Sequence, residues 1–164
     1  MDTYLAVFWY IIAIVTSLIT MSSIIQSIKA MIAKHQQQVQ QKKFLEAAMG
    51  ACALLAVADG DIGFAELMAR DYILDNVQQL QLFDANEAAE IFRLKGEALQ
   101  NNYQEEKTEI IKLITPYIGD RELAPLLLQI SLVIANADRE LKASEQEIIN
   151  ELKEILQVNK IDMS

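Results

Sequence analysis

The stretch AVADGDIGFAE, residues 56–66, decides the fold because it ends an apolar run with acidic residues and then starts a new helix. It follows GACALL (50–55), whose composition is typical of a buried helix. Asp59 and Asp61 stand in the turn, and Glu66 lies near the beginning of the next predicted helix. This order predicts two helices joined by a short acidic turn.

A second stretch, IANADRELKASE at 134–145, repeats the pattern of the first. When Asp138 is placed over Asp59, the aligned positions carry side chains of the same kind: Ala56 with Ala135, Ala58 with Ala137, Asp61 with Glu140, and Glu66 with Glu145. Such self-similarity indicates an internal duplication of a helix-turn-helix unit. Two units in antiparallel pairs would bury their apolar faces in one helical core.

The composition favours an all-α protein, since there are only five glycines and two prolines in 164 residues. The apolar period predicts six helices in a compact helical domain at 44–164, near 43–58, 64–80, 85–101, 104–118, 121–137 and 145–157. Asp84 with Glu87, and Ser144 with Glu147, are typical of capped helix N-termini. The predicted fold class is therefore all-α, built from the two duplicated units and preceded by a separate N-terminal helix.

The N-terminal helix is predicted to cross a membrane. Residues 3–28 carry no charge, and a helix of that length can cross a hydrocarbon core of about 30 Å. Lys29 and Lys34 follow the run, which by the positive-inside rule indicates an external N-terminus. We predict a transmembrane anchor at 1–29, a polar helical stalk at 30–43, and a single-pass membrane localisation with a cytoplasmic C-terminal domain. The alternative is a soluble protein that buries this helix in an oligomer.

One side of this helix carries small or weakly polar residues at spacings of three and four: Ala13, Thr16, Thr20, Ser23 and Ser27. Such a row lets a second membrane helix approach closely and offers hydroxyl groups for hydrogen bonds. It predicts a membrane partner or a homodimer. The alternative is a lone span whose hydroxyl groups bond their own backbone carbonyls.

Charge is unevenly distributed along the chain, which carries a net charge of −9. Residues 1–43 hold four lysines and one acid, whereas the remainder holds ten basic and 22 acidic groups. An acidic body argues against nucleic-acid binding, which needs a basic surface, and suits cations or a basic partner.

Catalytic chemistry has little support in the sequence. The single cysteine, Cys52, stands in an apolar helix, and the single histidine, His35, lies in the polar stalk. Neither has a partner nearby in sequence for nucleophilic catalysis. We therefore predict a protein that is not an enzyme.

The acidic turns are candidate metal ligands. Oxygen ligands from Asp59, Asp61, Glu66, Asp138, Glu140 and Glu145 would suit Ca²⁺, Mg²⁺ or Mn²⁺ if the two turns lie side by side. The pattern is not that of an EF-hand, because Phe64 and Arg70 stand where that loop needs Gly and Glu. The alternative is that these acids serve only turn and helix-capping chemistry.

Three segments resemble the tellurite-resistance TerB family: KFLEAAMGACALLAVADGDIGFAE (43–66), LQLFDANEAAEIF (80–92) and ISLVIANADRELKASEQEI (130–148). The resemblance implies a compact all-α domain with two related helical hairpins and acidic turns able to bind a divalent metal. It also implies work beside other stress-resistance proteins, including an integral-membrane protein of the TerC type. The predicted function is a membrane-anchored TerB-like adaptor in a tellurite- or stress-resistance complex. The alternative is a structural protein-interaction module that binds no metal.

Overall fold

The computed structural model describes residues 2–58, 60, 62–78, 80–81, 83–137 and 141–158, and of residues 2–25 it describes only the backbone. Its helices are α1 (Asp2–Ala56), α2 (Phe64–Asn76), α3 (Ala85–Asn101), α4 (Tyr103–Ile114), a 3-10 turn (Thr115–Tyr117), α5 (Leu123–Ala135) and α6 (Ala143–Leu156). No strand occurs in these described ranges. The predicted all-α class is confirmed.

The chain divides into two units, Met1–Gln40 and Gln41–Ser164. In the first, the described side chains, from Gln26 onward, are all exposed. The second unit contains the hydrophobic core.

The predicted membrane span is wrong. Among the residues that the structure describes, no helix is long and apolar enough to cross a membrane. This overturns the transmembrane anchor at 1–29 and the single-pass localisation with a cytoplasmic C-terminal domain. The prediction treated the uncharged run as a separate element, whereas it belongs to one helix of 55 residues that continues through the polar stretch 34–43.

The small-residue row predicted for a membrane partner or homodimer lies mostly outside the described side chains. Of its members, only Ser27 is described, and it is exposed. The row remains a prediction.

The last turns of α1 form the centre of the core in the second unit, because the stretch 44–57 is apolar on nearly every side. The ring of Phe44 packs edge-on against Tyr117, with centroids 5.5 Å apart. A β-carbon added at Gly50 would lie 3.1 Å from Ile110 Cγ2, so the Ile110 side chain of α4 packs directly against the α1 backbone there. Small side chains in α1 let the other helices pack around it.

Burial follows the duplication seen in the sequence. Residues that coincide when Asp138 is placed over Asp59 are buried in both copies: Leu45 and Ala124, Ala48 and Leu127, Met49 and Leu128, Cys52 and Ser131, Leu55 and Ile134, Ala56 and Ala135, Ile73 and Leu152. The turns also share a hydrogen bond. The N–H of Ala58 donates to the carbonyl of Leu55 at 3.1 Å, and that of Ala137 donates to Ile134 at 3.0 Å. Helix α2 contacts α3 and α5, and α5 contacts α6.

Helix boundaries differ from the predicted ones where side chains or proline intervene. Helix α2 ends at Asn76 rather than near 80, and the side-chain amides of Asn76 and Gln81 donate to carbonyl groups of its last turn. Helix α4 ends at Ile114 and the chain tightens into a 3-10 turn, since Pro116 has no N–H to donate.

The capping of α3 agrees with the predicted capping in one residue and differs in the other. The side chain of Asp84 caps α3, as predicted, by accepting from the N–H of Asn86 at 2.9 Å. Glu87, however, forms an ion pair with Lys42 of α1 at 2.8 Å instead of reaching back to the cap.

Candidate functional site

The six predicted metal ligands fall into two groups. Four of them lie outside the described residues: Asp59, Asp61, Asp138 and Glu140. The other two, Glu66 and Glu145, occupy equivalent positions in the first turns of α2 and α6. Both are largely buried, with 9% and 5% of their surface exposed.

Glu145 caps the helix in which it lies. Its Oε2 accepts a hydrogen bond of 2.8 Å from the backbone N–H of Lys142, the residue that precedes α6. The predicted cap of Ser144 with Glu147 is therefore wrong, because α6 begins at Ala143, two residues earlier than predicted. A carboxylate in this place satisfies an N–H that the helix leaves unpaired and interacts favourably with the helix dipole.

Glu66 is folded back in a similar way. A β-carbon at Gly63, the residue before α2, would stand 2.6 Å from Glu66 Oε2. The carboxylate therefore lies directly against the backbone at 63, in space that the glycine leaves open. Two of the six predicted ligands are thus turned toward their own helix N-termini. Within the described ranges, no three histidine, cysteine, aspartate or glutamate side chains are grouped to hold a metal ion.

Two residues of the first acidic turn, Gly60 and Ile62, contact α3. Gly96 of α3 lies so close to the turn that a β-carbon there would be 2.5 Å from Ile62 Cδ1. Gln100, one turn further along α3, donates from its side-chain amide to the carbonyl of Gly60 at 3.4 Å. Gly60 itself has φ of 119°, a conformation that favours glycine. Gly60 and Ile62 are thus held against α3.

A groove of about 790 Å³ lies beside this turn, between α2 and α3. Its lining combines apolar and charged side chains: Ile62, Leu67, Arg70, Asn86, Ala89, Glu90, Phe92, Arg93, Glu97 and Gln100. The guanidinium carbon of Arg70 lies 5.5 Å from the centre of the Phe92 ring, a cation–π distance. The same guanidinium forms an ion pair with Asp71 at 2.6 Å.

The other arginine of the groove is neutralised by its neighbours. Arg93 forms an ion pair with Glu90 at 2.6 Å and another with Glu97. These hydrogen bonds, that to Glu90 first, raise the pKa of Arg93, and the bond from Arg93 lowers the pKa of Glu90. Because both arginines have carboxylate partners, the groove has no evident preference for a charged small molecule.

The outer side of α2 carries a row of large exposed side chains, which we call the α2 face. Phe64, Met68 and Tyr72 are 78%, 53% and 61% exposed. They stand four residues apart, and Asp71 and Asp75 fall on the same side of the helix by the same periodicity. Contiguous exposed apolar side chains on a helix are typical of an interaction surface.

The duplicated helix α6 has no such row. Its residues equivalent to Phe64, Met68 and Tyr72 are Ala143, Glu147 and Glu151. Glu151 forms an ion pair with Lys107 of α4 at 2.6 Å. The apolar row is therefore particular to α2 and does not follow from the repeat. This row was not predicted from the sequence, although comparison of the outer positions of the two copies would have indicated it.

Cys52 lies wholly inside the core, and burial raises the pKa of its thiol. A thiol in that setting is a packing residue rather than a nucleophile.

Comparison with known proteins identifies the family. The family model of tellurite resistance protein TerB matches residues 45–164. No curated protein and no solved structure matches the chain. The match covers both acidic turns and all of α2 to α6. With its duplicated helix-turn-helix core, this chain belongs to the TerB family of tellurite resistance proteins.

Proposed function

We propose that this TerB-family protein is a non-enzymatic adaptor in tellurite or stress resistance, and that it binds a protein partner through the α2 face. The observation that carries the proposal is the exposure of Phe64, Met68 and Tyr72 in one row. Each of these side chains gains free energy when it leaves water, and aromatic residues with methionine are enriched at protein interfaces. A TerC-like integral-membrane protein, expected from the resemblance, is one proposed partner.

The test is a complementation assay in cells whose tellurite tolerance depends on this protein. The Phe64→Glu/Met68→Glu variant introduces charge into the row without touching the core. We expect it to lose tolerance while its far-UV circular dichroism and unfolding midpoint stay close to those of the wild type. The matched control, Glu147→Ala/Glu151→Ala, alters the equivalent outer positions of α6 and should keep tolerance. Full tolerance of the α2 variant at equal protein level would refute the proposal.

Metal binding at the acidic turns is a second proposal, and the duplication of the acidic stretches supports it. Asp59, Asp61, Asp138 and Glu140 would supply oxygen ligands to Ca²⁺, Mg²⁺ or Mn²⁺. The capping position of Glu145 favours the alternative, in which the acids at helix starts only stabilise the fold.

Calorimetric titration of the chain with each of the three ions separates these possibilities. An Asp59→Asn/Asp138→Asn variant is titrated beside the wild type. Saturable heat that the variant loses would make the two turns one metal site. Absence of heat with every ion up to millimolar concentration would leave the acids with capping and turn chemistry alone.

A further inference from the structure

A second exposed apolar row lies on α1, before the core begins. Ile28, Ile32 and Val39 are 51%, 53% and 40% exposed. Their spacings of four and seven residues place them on one side of the helix. Met31, beside them, is 72% exposed. The segment 26–43 is therefore apolar on one side over residues 28–32 and polar from Lys34 onward apart from Val39, and that side is uncovered in the described chain.

The charges of this segment decide what can cover it. It holds four lysines, Lys29, Lys34, Lys42 and Lys43, and no acidic residue. Helical periodicity places Lys29 and Lys43 beside the apolar row. Two copies of this segment packed against each other would bring lysines together with no acid between them, which is unfavourable. An acidic apolar surface suits it better.

The α2 face is such a surface. It combines Phe64, Met68 and Tyr72 with two exposed acids on the same side, Asp75 and Asp71, of which Asp71 already pairs with Arg70 at 2.6 Å. It lies in the part of the chain that holds most of the acidic groups. An amphipathic helix laid along an apolar surface, with opposite charges at its rim, is a common mode of recognition.

We propose that the segment 26–43 of one copy of this protein binds the α2 face of a second copy. The inference rests on the proposed function, since it names the partner of the same face. The apolar rows cover one another. Lys29 and Lys43 lie about 21 Å apart along their helix and Asp71 and Asp75 about 6 Å apart along theirs, so one of the two lysines meets the acids. Every copy carries both the basic segment and the acidic face, so each copy can bind another in this way.

Site-directed cross-linking of the full chain tests this arrangement. A chain with Ile32→Cys is mixed with a differently tagged chain with Met68→Cys, and a short thiol cross-linker is added. The native Cys52 is wholly buried and does not compete. We expect a cross-linked dimer that carries both tags. The matched control replaces Met68→Cys by Glu147→Cys, at the equivalent place on α6, and should give no such product.

Charge reversal gives an independent measurement. Sedimentation equilibrium of the full chain should show self-association that weakens as salt rises. Asp71→Lys/Asp75→Lys should weaken it at least tenfold, and adding Lys29→Glu/Lys43→Glu should restore it. Cross-links only between two Ile32→Cys chains, or association unaffected by charge reversal, would overturn the inference.

The two proposals fail in different ways. If the chain is monomeric at all concentrations but Phe64→Glu/Met68→Glu still abolishes tellurite tolerance, the α2 face binds another protein and only the self-association is refuted. If the chain associates as described but that variant keeps full tolerance, the self-association stands and the proposed function falls.

Discussion

Gly96 sets how closely the first acidic turn approaches α3, and its replacement gives a sharp test of that contact. A β-carbon at 96 would lie 2.5 Å from Ile62 Cδ1 and 4.0 Å from Val57 Cγ2. Carbon atoms pack best at about 3.5–4.0 Å, so Gly96→Ala forces Ile62 to move. Because only the terminal methyl of Ile62 must turn aside, this overpacking costs about 1 kcal/mol, whereas alanine gains up to about 1 kcal/mol over glycine within a helix.

The net expectation for Gly96→Ala is a loss of about 0–1 kcal/mol in the free energy of unfolding. In the background of Ile62→Ala the clash is absent and only the helical gain remains. Gly96→Ala should therefore become stabilising there, by up to about 1 kcal/mol. The coupling energy between the two positions should be about 1 kcal/mol and favour the double variant.

The four proteins to compare are the wild type, Gly96→Ala, Ile62→Ala and the double variant. Urea unfolding of the compact unit Gln41–Ser164, followed by far-UV circular dichroism, measures the free energy of unfolding of each. Gly50→Ala is the control, because its β-carbon would meet Ile110 at 3.1 Å and not Ile62. Ile62→Ala should give no relief to that variant. If the effects of Gly96→Ala and Ile62→Ala add to within about 0.5 kcal/mol, the turn is not held against α3 as described.

Three further outcomes follow from single groups. Glu145→Ala should destabilise the fold by about 0.5–2 kcal/mol in metal-free buffer, because the backbone N–H of Lys142 loses its acceptor. A loss of stability seen only when metal is present would instead indicate that Glu145 is a metal ligand. Hydrogen bonds from the backbone N–H groups of Leu123 and Glu122 lower the pKa of Asp120. Its carboxylate therefore stabilises the fold at pH values above its unfolded pKa of about 3.9, and this stabilisation is lost as pH falls through the lower native pKa. The stability difference between wild type and Asp120→Asn should therefore be larger at neutral pH than in acid, and a pH-independent difference would contradict the assignment. The Cys52 thiol should react with a thiol reagent only after denaturation, and rapid reaction of the native protein would show that the core opens there.

The sequence was sufficient for the helices whose apolar period and caps agree. Helix α3 begins and ends where predicted, because Asp84 is a cap and its buried residues recur with helical spacing. The N-terminal run was misjudged because an uncharged stretch of that length satisfies the composition rule for a membrane span. That rule looks at the run alone, whereas the helix continues through polar residues to Ala56.

The candidate site shows a different limit. A glutamate three residues after a helix cap can reach back to the backbone or forward to a metal, and the sequence pattern is the same in both cases. Only the direction of the side chain separates them, as the bond from Lys142 to Glu145 shows. The α2 face was missed for another reason. Its apolar residues recur with the helical period, which is also the pattern of core residues. Only the structure shows that Phe64 and Met68 are exposed.

The two repeats differ on the α2 face although many core positions and the turn hydrogen bonds are alike in both copies, so the fold does not require the apolar row. Burying Phe64, Met68 and Tyr72 from their present exposure gives about 3–6 kcal/mol, at about 1.5–3 kcal/mol for each fully buried side chain. Association costs at least about 4 kcal/mol in lost freedom of motion, so the apolar row alone cannot hold a partner tightly. The partner must add further contact area or charge. Asp75 on the same side of the helix favours a basic group there, since Asp71 is already paired with Arg70. Whatever binds the α2 face tightly should therefore present basic groups beside an apolar surface.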